Sequence, residues 1–193
     1  MLEIVPYQAT WLTEFKEIAA RLSRGLGALA LRIDHIGSTS VPNLPANDVI
    51  DVQITVAALE EPVRAALTSL GYSSRRGMWR DHQPPNASGP KSDWEKWLFD
   101  PPMGQRRTHT HVRIQGRPNQ RYPLLFRDYL RTHPATAEAY AELKRRLAQH
   151  LVDPKTYPDV KDPAVDLIYM AAEDWASTTG WHPGRSDAST MAR

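Results

Sequence analysis

At 193 residues the chain is long enough for one domain that buries roughly 70% of the surface its unfolded form exposes, and two domains would be cramped. The absence of cysteine excludes disulfide staples, thiolate nucleophiles and Cys-based zinc or iron–sulfur sites, so any metal must use carboxylate, His or amide ligands. The net charge of +2 is unevenly spread: residues 105–150 carry 10 bases against 3 acids, whereas residues 1–60 and 151–193 each carry 7 acids and 4 bases. A basic block between acidic flanks suits an anionic ligand, because focused positive potential concentrates anions; the plainer alternative is a solvated helix face. No stretch approaches the ~18 apolar residues that cross a bilayer, and the amino terminus lacks a signal-like block, so a cytoplasmic chain without a membrane partner is expected.

In chain order, Leu12, Phe15, Ile18 and Leu22 form one apolar stripe and predict an amphipathic helix from Thr10 to Arg24, ended by Gly25 and Gly27. Leu31 to Ile36 and Val49 to Val56 read as strands. In the second, Ile50, Val52, Ile54 and Val56 alternate with Asp51, Gln53 and Thr55, which puts Asp51 and Gln53 on one face. Pro62 opens a short helix that Gly71 closes. Trp94 to Phe99 and Thr108 to Ile114 suit an antiparallel pair, with His109, His111 and Arg113 aligned on one face. Prolines near helix starts then suggest Pro123 to Thr132, Pro134 to Leu151 and Pro163 to Thr178. The expected class is α/β (α+β): a mixed sheet flanked by helices, with a helical carboxy-terminal third. Residues 1–176 form the domain, and Ser177 to Arg193, rich in small polar residues, is expected to be a flexible tail.

The stretch His35-Ile36-Gly37-Ser38-Thr39-Ser40-Val41-Pro42 runs off a strand into a turn whose small residues let backbone N–H groups approach an anion. Asp51 follows on the next strand, so a phosphate-holding turn and a carboxylate able to hold Mg²⁺ would lie side by side, the layout of nucleotidyltransferases. Taken alone, Gly-Ser before a strand Asp is also common turn chemistry.

This stretch and Ile50-Asp51-Val52 resemble the signature of the GrpB family, which belongs to the nucleotidyltransferase-like fold superfamily and lacks a settled activity. His109-Thr110-His111-Val112 is similar to the family's His-x-His strand, Phe126-Arg127-Asp128-Tyr129-Leu130-Arg131 to its Phe-Arg-Asp-Tyr-Leu segment, and Tyr140 to Lys144 and Tyr157 to Lys161 to its Tyr/Lys motifs. The resemblance covers roughly residues 3–176. It implies a cleft in which His35, Gly37, Ser38, Thr39, Ser40, Gln53, Arg113 and Lys161 bind phosphate or substrate, while Asp51, His109, His111, Arg127 and Lys144 carry the chemistry. The chain departs from the family at Asn43 and at Ala46-Asn47-Asp48, where Gly and Ala-Lys-Pro are usual, so a basic side chain beside the turn is missing. It also has Gln53 where an active nucleotidyltransferase needs a second carboxylate, leaving Asp51 and Asp48 to share the load.

Three functions follow. The first is a protein that binds a nucleotide or another phosphorylated or anionic small molecule, with metal-dependent nucleotidyl transfer using Mg²⁺ or Mn²⁺ at Asp51. The second is a transferase site reused as a small-molecule lyase, cyclase or hydrolase in specialised metabolism, with His109 or His111 as acid or base; Asp51, His109 and His111 could alternatively hold Zn²⁺ or Fe²⁺. The third is a non-catalytic binding module. Arg145 and Arg146 read as a solvated helix face, Asp128 as a residue that orients an Arg, and Trp79, Trp94, Trp97 and Trp175 as packing residues, so nucleic acid is not an expected partner.

Overall fold

The computed structural model describes residues 3–85 and 87–191. Five strands form one sheet in the order β1-β2-β5-β4-β3: β1 (Arg32–Ile36), β2 (Ile50–Val56), β3 (Ser73–Ser74), β4 (Trp97–Asp100) and β5 (Thr108–Ile114). All neighbours are antiparallel except the central pair of β2 and β5, which runs parallel. The mixed sheet and the antiparallel pairing of β4 with β5 match the sequence reading.

One sheet face is apolar because the alternation in β2 makes it so. Ile50, Val52, Ile54 and Val56 are buried beneath α1 (Thr10–Leu26) and α2 (Glu61–Ser69), where Trp11, Phe15, Ile18 and Leu22 complete the core. The other face carries Asp51, Gln53, His109, His111 and Arg113. A second apolar cluster joins Val41 and Leu44 after the first turn to α3 (Pro118–Thr132), α4 (Pro134–His150) and α5 (Tyr157–Thr179). The cleft lies between the polar sheet face and this helical third.

Two helices begin earlier than their prolines suggest. Pro123 lies inside α3 and Pro163 inside α5. An interior proline removes one backbone hydrogen bond but does not forbid the helix. Here the additional turns of α3 carry Asn119, which donates to Asp81 and the Glu95 carbonyl, and Gln120, whose carbonyl accepts from Gln53, while those of α5 bury Tyr157. Residues placed in the tail by sequence are also engaged. The Ser186 hydroxyl exchanges hydrogen bonds with Ile33 N and O at 2.9 and 2.8 Å, and an Asp187 oxygen accepts the His35 amide at 2.9 Å, so the segment covers the outer edge of β1. Among the described residues, no helix is long and apolar enough to cross a membrane.

Candidate functional site

The parallel register of β2 and β5 sets Asp51 beside His109 and Gln53 beside His111. Opposite Asp51, β1 ends at Ile36 and hands the chain to Gly37. Gly37 has φ +68°, and a Cβ there would lie 2.2 Å from Asp51 Oδ2. Only glycine therefore lets the turn lie against the carboxylate. Ser38–Ser40 form a single 3-10 turn in which the Ser40 hydroxyl donates to the Gly37 carbonyl at 2.6 Å, and the amides of Ser40 and Val41 donate back to Gly37 and Ser38. Those donors hold the turn's shape, and Ser38 and Thr39 line the cleft.

Two lobes meet at Ser38, Asp51, His109, Tyr140 and Lys161: a first of about 260 Å³ and a second of about 400 Å³. The first collects Arg107, Lys144 and Lys161 around one carboxylate, Asp51. Lys144, 2% exposed, donates to Ser38 Oγ at 2.9 Å and to the Pro45 carbonyl, and its Nζ lies 4.8 Å from the Tyr140 ring centroid. Among the described residues no carboxylate pairs with Lys144, Lys161 or Arg107. Burial, reinforced by Lys161 and Arg145, pushes the Lys144 ammonium down to about 7. For Lys161 the same desolvation is outweighed by Tyr140, Asp162 and Asp51, which hold its pKa above the ordinary lysine value.

Charges in the second lobe are paired. Asp81 accepts two hydrogen bonds from Arg113, at 2.8 and 2.9 Å, and others from Lys96 and from Asn119 at 3.1 Å. Burial favours the neutral acid, but Arg113 and Lys96 outweigh it and hold Asp81 well below the usual carboxylate range. His111 Nδ1 lies 3.4 Å from Lys96 Nζ and 3.3 Å from Arg113 Nη2, so it accepts from cations. Its Nε2 faces Asp51 Oδ1 at 3.8 Å. Burial, then Lys96 and Arg113, push His111 down to about 3, which keeps it neutral at pH 7. With Nδ1 accepting, Nε2 carries the ring proton, so His111 has no lone pair free for the expected base role.

His109 differs. Its Nδ1 lies 3.2 Å from Asp51 Oδ1, so an Nδ1–H donated to the carboxylate leaves the Nε2 lone pair available. Burial would raise the Asp51 carboxyl, but hydrogen bonds from His109 and His111 hold it well below its ordinary value.

Several expected site residues lie elsewhere. Arg127 lines neither lobe: it is buried and bonded to Asp128, Asp187 and the His35 carbonyl, which ties α3 to β1 and the terminal segment. His35 projects to the apolar side, stacked on Phe15 with centroids 4.7 Å apart, and its Nε2 lies 3.0 Å from Thr39 Oγ1. Burial pushes that imidazole down to about 3, so it packs as a neutral ring and props the turn from behind. Gln53 is 0% exposed, donating to the Gln120 carbonyl at 2.9 Å and accepting from Arg113 Nη1 at 2.8 Å. Asp48 is bound by Trp11 and Arg106. Arg145 and Arg146 pair with Glu142, as a solvated face would. The sequence reading missed Arg107, Asp81 and Lys96. Alternation gave a signal for two of them: Arg107 precedes β5 in the register of His109, His111 and Arg113, and Lys96 falls with Leu98, which pairs with His111.

A protein-family model described as GrpB protein matches residues 1–171. The dephospho-CoA kinase of Mycobacterium leprae (strain TN) is 36% identical over 92% of this chain and 48% of that protein. The chain thus spans about half the length of the curated kinases it matches. The crystal structure of conserved protein GrpB from Enterococcus faecalis superposes with a TM-score of 0.72 at 30% identity, covering 90% of this chain and 99% of that one. A Cid1 poly(U) polymerase mutant bound to MgATP aligns with a TM-score of 0.52 at 10% identity over 80% of this chain and 47% of that one, a likeness of fold alone.

Proposed function

The chain belongs to the GrpB family and has a nucleotidyltransferase-like fold, and from that premise we propose that its cleft binds the phosphate of a nucleotide or another phosphorylated small molecule. The observation that carries this reading is Lys144, buried against the Ser38 turn without a carboxylate partner among the described residues, in a lobe where three cations face one acid. An unpaired buried ammonium is costly, and a bound anion removes that cost. Ser38, bonded to Lys144, adds a hydroxyl on the same wall.

The kinase name of the mycobacterial relatives describes proteins about twice as long. This chain contains no Gly-Lys pair, hence no phosphate loop of the Gly-x-x-x-x-Gly-Lys-Ser/Thr kind. Dephospho-CoA is therefore a ligand to test here rather than an assigned substrate. The test is thermal denaturation with orthophosphate, ATP and dephospho-CoA. A ligand at 100 times its Kd should stabilise the fold by about 2.7 kcal/mol, and Lys144→Met should remove the effect. If none of the three ligands shifts the midpoint at millimolar concentration, the proposal is wrong.

A second reading is favoured by the Asp51–His109 contact, which orients an imidazole as a proton acceptor in the manner of a carboxylate–histidine dyad. On this reading the cleft is a lyase, cyclase or hydrolase site with His109 as base. His109→Gln would then abolish turnover while leaving ligand-induced stabilisation in place, and loss of both together would argue against it.

A further inference from the structure

Nucleotidyl transfer on a sheet of this kind calls for metal ions bridging the attacking and leaving oxygens, held by paired carboxylates. The donors on this sheet face do not fit that requirement. The position two residues beyond Asp51 on the same face is Gln53, whose amide nitrogen is taken up by the Gln120 carbonyl and whose oxygen faces the Arg113 guanidinium at 2.8 Å. A permanent cation thus stands beside the group that would have to be an anion. Asp81 is enclosed by Arg113, Lys96 and Asn119, and Asp51 accepts from His109 with His111 close by. Among the described residues, no three His, Asp or Glu side chains are arranged to hold a metal ion. The cluster of Asp51, His109 and His111, which the sequence suggests as a metal triad, is arranged around the Asp51–His109 hydrogen bond, with His111 Nε2 3.8 Å from Asp51 and its Nδ1 turned to Lys96 and Arg113.

What the cleft offers in place of a metal is fixed positive charge. Arg107 and Lys144 line the first lobe, Lys96 and Arg113 the second and Lys161 both, against Asp51, Asp81 and Asp162. The second lobe, which Lys161 also lines, sets Lys96, Arg113 and Lys161 against Asp51, Asp81 and Asp162, with Asp81 bonded to both Lys96 and Arg113. The unbalanced charge is concentrated in the first lobe, where Lys144 is fixed by Ser38 and the Pro45 carbonyl.

We infer that this cleft neutralises a phosphorylated ligand with its own lysine and arginine side chains and binds it without a divalent metal. This rests on the phosphate-binding reading above and adds the form of the ligand, the free anion rather than its magnesium complex. It also reverses the meaning of Asp51. In a metal site Asp51 is the ligand that anchors the cation and through it the phosphate. In a cationic site Asp51 is the one negative charge in the first lobe and opposes the phosphate directly, its task being to hold His109.

Calorimetric titration of the full chain with orthophosphate, which complexes Mg²⁺ only weakly, and with pyrophosphate separates the two. Under the inference, the orthophosphate Kd stays within about threefold between EDTA and Mg²⁺, pyrophosphate, which Mg²⁺ sequesters, binds more weakly with the metal than in EDTA, and Asp51→Asn tightens binding of both in EDTA by about two- to tenfold through removal of a like charge. Lys144→Met and Lys161→Met each weaken it by at least about tenfold in EDTA. Binding that requires a divalent ion, or that Asp51→Asn abolishes, overturns the inference while leaving phosphate recognition standing. No binding under any condition removes both. The comparison of wild type with and without metal needs no variant to fold.

Discussion

The two lobes of the cleft share Asp51 and His109 but treat charge in opposite ways. In the second, Asp81 gathers Arg113, Lys96 and Asn119, and neutral His111 completes the ring of contacts. In the first, Lys144, Lys161 and Arg107 line the cleft from α4, α5 and the segment before β5 with one shared carboxylate. A closed network sets the shape of the sheet face, because removing any member strands a buried charge. An open set of cations leaves the balance to be completed from solution. The difference teaches that the same residue types form a closed scaffold in one lobe and, in the other, an open set of cations of the kind the proposed phosphate site requires.

The comparison is most easily broken at Asp81. Asp81→Ala leaves Arg113 and Lys96 buried without their anion, and we expect a loss of about 3–5 kcal/mol in urea unfolding. A loss below about 1 kcal/mol, the range of an exposed ion pair, would mean that the second lobe is as open as the first. Gly37→Ala should cost about 2–4 kcal/mol, from positive φ and from a Cβ placed 2.2 Å from the Asp51 carboxylate. The same substitution should displace the Ser38 turn and abolish phosphate-induced stabilisation. A variant that keeps both stability and the ligand response would show that the contact between turn and carboxylate has no structural weight.

Much of this was legible in the sequence. The alternation of β2 dictates which face carries Asp51, because a one-residue slip would bury its charge under α1. The family motifs marked Ser38, His109, Lys144 and Lys161, and the structure brings these together at one cleft. The motifs misplaced Arg127 and His35 because a motif records which residues matter and not what they touch: Arg127 is a buried tie to β1, and His35 is a neutral ring on Phe15. Asp81 was invisible because its loop has no periodicity, and its role comes from β5 and α3 residues distant in sequence, Arg113 and Asn119. Gln53 showed that a carboxylate was missing, but not that a guanidinium had taken its neighbourhood.

The smallest effect we expect has the opposite sign. Lys144→Met removes a buried ammonium whose pKa is pushed down to about 7 from an ordinary value of 10.5 by burial and by Lys161 and Arg145. In the absence of ligand, both folded and unfolded chains carry that proton below pH 7, so the wild type bears the full cost of the buried charge there. Between pH 7 and 10.5 the unfolded chain holds more of the proton than the folded one, and stability rises with pH across that window. The methionine variant lacks this slope. It should be more stable than wild type by about 1–3 kcal/mol near pH 6, the loss of the bonds to Ser38 and Pro45 offsetting part of the gain, and its advantage should fade by pH 10. Phosphate reverses the account by restoring a partner to the ammonium, so binding to wild type near pH 8 should take up a fraction of one proton, read from binding heats in buffers of different ionisation enthalpy. A methionine variant less stable than wild type near pH 6 would mean that Lys144 is already satisfied without a ligand, and the contrast between the lobes would then disappear.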